Sequence, residues 1–198
     1  MNIPLRLLLT FLLLPWAHAA DYDEVIKIKD DKDREVLSLK RRGDDLKIEI
    51  AGKSPEVLRA KKKESGKRKY ELEGGGVVCE IKYDGSDFKI RKTDGSLIWK
   101  VGIDGNKMKW RRTESGDSPY ALKISDSEQV KILVKEQEIG RVKFYGDKVK
   151  VKDAKGVTRF ESNTSATYPM FGALLFTDIP LRERALIMGE LMLHFAKK

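Results

Sequence analysis

Asp178 to Phe195 reads DIPLRERALIMGELMLHF, and its periodicity is that of a helix. At about 100° per residue, Leu181, Ala185, Leu186, Ile187, Met188, Leu191, Met192, Leu193 and Phe195 cover some three quarters of the circumference. The remaining strip is polar: Glu183, Glu190, His194 and Lys197. A helix that is apolar on nearly every side has to be surrounded, by protein or by lipid. The run Ala185 to Ala196 is 12 residues, roughly 18 Å as a helix, against a hydrocarbon core of about 30 Å. Arg184, Glu183, Arg182 and Pro180 block any upstream extension, so a membrane reading needs Tyr168 to Phe176 as the other half of a re-entrant hairpin. Protein is the simpler surrounding. The expectation is a helix over about 179–196 with no stable transmembrane span, Thr177 or Asp178 as its N-cap and Pro180 in its first turn.

The rest of the chain supplies a wall. Asp84-Gly85, Asp94-Gly95 and Asp104-Gly105 recur at ten-residue intervals, and Arg42-Gly43-Asp44, Ser65-Gly66, Gly74-Gly75-Gly76, Ser115-Gly116-Asp117, Gly146-Asp147 and Lys155-Gly156 add further turns. Such pairs provide the positive φ of tight hairpins. Between them apolar and charged residues alternate: Ile26 and Ile28 with Lys27 and Lys29, Leu46, Ile48 and Ile50 with Lys47 and Glu49, Cys79 and Ile81 with Glu80 and Lys82. The same pattern holds for Phe88 and Ile90, Met108 and Trp110, Val130, Ile132 and Val134, and Val149 and Val151. One face is core and the other is wet. A long one-sided antiparallel meander must pair with a second sheet or close on itself, and the terminal helix is a ready filling for a closed barrel. Eight large apolar side chains contribute about 12–24 kcal/mol gross on burial, more than the net stability of about 5–15 kcal/mol of a typical domain. The helix is therefore expected to be the core. The fold class read here is mainly β, an antiparallel meander of roughly twelve strands closed around a C-terminal α-helix.

These residues resemble a family. A meander of charged strands ending in FTDIPLRERALIMGELMLHF (Phe176–Phe195) is similar to the tubby-like superfamily, which includes phospholipid scramblases and the plant LURP-one-related proteins. The resemblance implies a twelve-stranded barrel enclosing a hydrophobic C-terminal helix. Its closest local similarity is to the scramblase ending: a proline-leucine entry (Pro180-Leu181), mixed charges, then a short apolar helix with a Met188-Gly189 step. The departures bear on function. A proline-rich N-terminal region, a cysteine cluster and an acidic calcium segment are missing, with only Asp178 near the corresponding place, so scrambling is not implied. Tubby proteins bind phosphoinositides through basic residues that find no aligned counterpart here.

The N-terminus reads as a secretory signal: Arg6, the apolar core Leu7 to Leu14, Pro15, then Ala17 and Ala19 flanking His18. Cleavage after Ala19 leaves 179 of the 198 residues as a single domain, 20–198, periplasmic or extracellular. Its net charge is about +8, which favours anionic partners such as anionic lipid or an envelope polyanion. Cys79, the sole cysteine, lies on the apolar face of its strand and reads as a small core residue.

Catalytic raw material is sparse. Apart from His18 in the signal, His194 is the only histidine, and nucleophile elbow, zinc-binding pair and phosphate loop are all missing. Glu190 and His194 stand one turn apart and could serve as an acid–base pair in a hydrolase or isomerase; the plainer reading has them hydrogen-bonded to each other or to the barrel wall. Asp30, Asp31, Asp33 and Glu35 have the alternation of a calcium loop, but Val36 stands where the loop needs glycine, so a solvated hairpin is expected and no metal site or cofactor is assigned. The densest basic run, Lys61, Lys62, Lys63, Lys67, Arg68 and Lys69 around Ser65-Gly66, is the candidate contact with an anionic surface, or else an ordinary solvated loop. In Lys107, Lys109, Arg111 and Arg112 the interleaved Met108 and Trp110 point to the opposite face, so the segment offers no base-stacking platform and nucleic acid is not an expected partner. Asn163-Thr164-Ser165 matches a glycosylation acceptor and carries no meaning in a bacterial periplasm. The functional expectation is an exported, non-enzymatic binding or scaffold module. The runner-up is a membrane-acting, scramblase-like lipid binder whose helix leaves the barrel.

Overall fold

Alternating apolar and charged residues build fourteen antiparallel strands in a computed structural model, which describes residues 22–126 and 129–196. The signal segment expected over residues 1–19 lies outside the described residues. The strands are β1 (Glu24–Asp30), β2 (Glu35–Arg42), β3 (Asp45–Ile50), β4 (Glu56–Lys62), β5 (Arg68–Leu72), β6 (Val77–Asp84), β7 (Asp87–Arg91), β8 (Leu97–Asp104), β9 (Lys107–Arg111), β10 (Tyr120–Asp126), β11 (Gln129–Val134), β12 (Gln137–Tyr145), β13 (Lys148–Asp153) and β14 (Thr158–Asn163). Each pairs with its neighbours in sequence, and β1 meets β14 with Lys29 opposite Glu161 and Asp30 opposite Phe160. Closure removes every open edge.

Fourteen strands stand where about twelve were expected. The difference comes from turns without an Asx-Gly signature. Between β11 and β12 the two central residues are Lys135 and Glu136, at φ 49° and 64°, left-handed conformations that side-chain-bearing residues seldom adopt. The hairpin expected at Asp30 to Glu35 is present between β1 and β2, its positive φ belonging to Asp33, at 60°. The Asp30 carboxylate organises that hairpin, accepting the backbone N–H of Lys32 and of Arg34, both at 3.0 Å, and the Arg34 guanidinium at 2.9 Å. Chiefly through that guanidinium, the carboxyl is held down at about 2. Its oxygens close a turn.

The barrel is filled by the C-terminal segment. A 3₁₀ helix over Pro169–Leu175 packs on β10 to β13, and α1 (Leu181–Phe195) packs on β2, β3 and the 3₁₀ helix. All of Ala185 to Leu193 is buried, and these residues share one core with the inward side chains of the wall, among them Ile26, Leu39, Ile48, Tyr70, Trp99 and Trp110. Cys79 is part of that core, where burial pushes its thiol up to about 12. Among the described residues no helix is long and apolar enough to cross a membrane.

α1 is about 22 Å long and runs from one barrel end to the other. At its start Arg182 donates to both Glu56 oxygens, at 2.6 and 2.5 Å, and Glu183 accepts from the Trp99 indole at 2.7 Å and from Arg112 at 3.1 Å. The charges that rule out an upstream extension thus clamp the helix to the rim. Neither expected N-cap is used. Pro180 occupies the cap position without a side-chain hydrogen bond, and Asp178 instead accepts the Tyr120 hydroxyl.

Gly140, Gly172 and Gly189 permit the tight filling. A methyl at Gly140 would collide with the backbone carbonyl oxygen of Lys152 and with Leu175, whereas one at Gly189 would meet only the tips of Leu46 and Ile48 and the Tyr70 hydroxyl. Backbone cannot yield as a rotamer can. Gly140→Ala should therefore destabilise by about 3 kcal/mol and Gly189→Ala by about 1 kcal/mol in chemical denaturation. Gly102→Ala, whose methyl would find the Asp87 carboxylate at an ordinary 3.6 Å, serves as the near-neutral control.

Candidate functional site

The far end of α1 meets the β4–β5 and β6–β7 turns, and a cleft of about 490 Å³ opens there between Lys62, Gly66, Arg68, Tyr83, Gly85, Leu193 and His194. The turn between β4 and β5 is shaped by the Lys63 N–H donating to Lys67 at 2.8 Å and the Gly66 N–H donating to Lys63 at 2.9 Å. Lys61, Lys62, Lys63 and Lys67 are exposed to solvent, and Lys62 lines the mouth. Lys62 pairs with Asp44 at 3.1 Å, and half-buried Lys69 pairs with Glu80 at 2.8 Å. Five members of the candidate run therefore stand at or near one rim.

Arg68 does not stand with them. It is 1 % exposed, because β5 alternates: Arg68 and Tyr70 point inward, Lys69 and Glu71 outward. The guanidinium reaches Glu190 of α1, with Nε 3.1 Å from Oε1, and Nη1 donates to the Asp44 carbonyl oxygen. Tyr70 donates its hydroxyl to Glu190 Oε1 at 2.5 Å, and Tyr83 donates to Oε2. The Glu190 carboxylate, wholly buried, thus has both oxygens engaged by the wall. This agrees with the wall-bonded reading of Glu190 rather than with an oxygen left open for proton transfer.

The electrostatics follow from burial. Desolvation pushes the Glu190 carboxyl up, against the downward pull of Arg68, Tyr70 and Tyr83. Burial works to lower the Arg68 guanidinium, but Glu190, Tyr70 and Tyr83 together outweigh it and leave the group above its ordinary value. Burial, then Glu190, raises the hydroxyls of both Tyr70 and Tyr83, so both remain donors. This cluster joins the helix to β5 and β6 beneath the cleft.

The lining of the cleft contains basic and neutral side chains only. Two other depressions on the barrel, of about 250 and 790 Å³, mix lysine and arginine with Asp87 and Asp104 or with Asp117 and Glu136. The Tyr83 hydroxyl and the Arg68 guanidinium in that lining are engaged by Glu190, so the group that would meet an anion there is Lys62, with the exposed lysines of the β4–β5 hairpin beside it. His194 also lines this mouth, its ring 5.1 Å from that of Phe195. Of the second basic segment, Lys107, Lys109 and Arg111 stand on the outer wall and Met108 and Trp110 are fully buried inside, as alternation required, while Arg112 lies past the end of β9 at the rim, bonded to Glu183. Arg112 lies over the Trp99 ring at 4.3 Å. Among the described residues no cluster of His, Cys, Asp and Glu could hold a metal ion.

Sequence reasoning missed the inward turn of Arg68, Tyr70 and Tyr83. The available signal was parity: Arg68 shares a face with Tyr70, and Tyr83 with Cys79 and Ile81, while Glu190 is the lone carboxylate in an otherwise apolar stretch of helix. No known protein family matches this chain and no curated protein matches it.

Proposed function

We propose that this protein is an exported, non-enzymatic binding module whose basic barrel end docks against an anionic membrane or envelope surface. The observation that carries this reading is the cleft at the end of α1, lined by Lys62 and Arg68 without a carboxylate, with Lys61, Lys63 and Lys67 exposed on the neighbouring β4–β5 hairpin. Lys61 and Lys62 at the end of β4 and Lys63 and Lys67 on the turn are four exposed cations against one exposed carboxylate, Glu64, and such surface charges contribute little to stability. Membership of the tubby-like superfamily is part of the same proposal. A closed antiparallel wall with a C-terminal helix inside supports it, and fourteen strands depart from the expected twelve. A role in which the helix leaves the barrel for lipid has less support, because Arg182, Glu183 and Glu190 tie it to the wall along its length.

The test uses protein beginning at Ala20, which intact-mass measurement of secreted material should identify as the mature N-terminus. Co-sedimentation with phosphatidylglycerol vesicles or with envelope material should be strong at low salt and weak at high salt, as the Debye length contracts from about 10 Å at 0.1 M to about 3 Å at 1 M. Replacing Lys61, Lys62, Lys63 and Lys67 with serine should weaken binding while moving stability by no more than about 0.5 kcal/mol. Binding equal to wild type would remove the rim as the contact.

A further inference from the structure

The pairing register produces a second basic feature, on the outer wall and away from the barrel-end cleft. Lys107 of β9 lies opposite Lys123 of β10, Lys123 opposite Lys131 of β11, Lys131 opposite Arg141 of β12, and Arg141 opposite Lys152 of β13. All five point outward, since their strand neighbours Met108, Leu122, Ile132, Val142 and Val151 are buried. A shorter row of the same kind, Lys82, Lys89, Lys100 and Arg111, crosses β6 to β9. Like charges directly opposite on adjacent strands are destabilising. An uninterrupted row of five is a costly way to be soluble, because alternating signs would solvate the wall as well and attract one another.

The carboxylates nearby do not cancel the row. Glu136 pairs with Lys107 at 3.1 Å, and Glu138 serves both Lys131, at 3.9 Å, and Arg141, at 2.5 Å. Lys107, with Lys109 and Lys123 behind it, holds the Glu136 carboxyl below its ordinary value. Among the described residues, Lys123 and Lys152 have no carboxylate partner.

Two geometric facts select the partner. Adjacent strands are about 4.8 Å apart, so the cations recur at that interval perpendicular to the strands. The row also spans four of the fourteen interstrand steps, more than a quarter of the circumference. A planar bilayer touching such a curve meets only its middle, whereas a flexible chain can follow all of it. We infer that the β9–β13 wall binds a flexible linear polyanion, one whose charges recur at or within the interstrand spacing, laid across the strands over Lys107, Lys123, Lys131, Arg141 and Lys152.

The experiment measures binding of the mature protein to long-chain inorganic polyphosphate across a salt series, with tripolyphosphate as competitor and phosphatidylglycerol vesicles in parallel. Wild type should bind the long chain, with tripolyphosphate competing poorly at equal phosphate concentration. Each cation removed from a flexible polyanion contact should lower the slope of log K against log salt by about 0.7, so Lys123→Ser/Lys131→Ser/Lys152→Ser should lose about two units of slope. Its melting midpoint should be unchanged or higher, since like-charge neighbours have been removed. The rim variant Lys61→Ser/Lys62→Ser/Lys63→Ser/Lys67→Ser should keep the wild-type slope on polyphosphate, which separates failure of this surface from failure of the barrel-end reading. The inference is overturned if the wall variant binds polyphosphate as wild type does, if tripolyphosphate competes equally, or if the wall variant loses vesicle binding while keeping the chain.

Discussion

Glu190→Leu should destabilise the protein by about 3–5 kcal/mol, because it leaves the Arg68 guanidinium buried and unpaired. Arg68→Met should be milder. A buried carboxyl can take up a proton when its partner goes, and burial already drives Glu190 that way, whereas a guanidinium cannot lose one. The double variant Arg68→Met/Glu190→Leu should return close to wild-type stability, as replacement of a whole buried ion pair by apolar side chains commonly does. Denaturant melts of the three variants check the order; equal losses in the two single variants would contradict the pairing.

The same pair predicts a pH dependence of definite sign. Glu190 has its carboxyl raised in the fold above the ordinary 4.5, so from 4.5 upward the unfolded chain ionises while the folded chain still holds the proton. Its contribution is fully present below 4.5 and declines as pH rises through the folded value. Asp30, Glu49 and Glu56 have lowered carboxyls and act the other way, in the range below their ordinary values. Glu190→Gln should accordingly flatten the loss of stability above pH 4.5 and leave the acid limb alone. An unaltered profile would place Glu190 outside the titration.

The second large effect concerns the filling. Ending the chain before Pro180 removes Ala185 to Leu193 from the interior and opens the inward faces of the wall to water, so cooperative folding should be lost. Met188→Asp should approach the same result, since Met188 is fully buried and a carboxylate without a partner there costs several kcal/mol. Circular dichroism and calorimetry of both variants read the outcome. A truncated chain that melts cooperatively near the wild-type midpoint would make the helix an accessory.

The helix was legible because an apolar surface on nearly all sides has few solutions, and the wall because lysine and isoleucine alternate with period two. Glycine made most turns visible. Lys135-Glu136 carries no glycine, so the β11–β12 hairpin and the true strand number stayed hidden until the backbone was seen. Arg68 was hidden for another reason. Read along the chain it belongs to a basic run, and only its position on β5, inward with Tyr70, sends it to Glu190, which is 122 residues away in sequence. The outer-wall row was illegible in principle, since Lys107, Lys123, Lys131, Arg141 and Lys152 become neighbours only through the pairing register of five strands.

The central claim is a barrel held together by its own C-terminal helix, which stays in place while the basic exterior binds. Amide hydrogen exchange over Ala185 to Leu193, with and without saturating phosphatidylglycerol vesicles, tests it most directly. The account predicts protection equal to that of the β2 and β3 strands the helix packs on, at the level of global unfolding, and unchanged by vesicles. Faster exchange in the helix than in those strands, or protection that falls when vesicles are added, would show a helix that leaves the barrel.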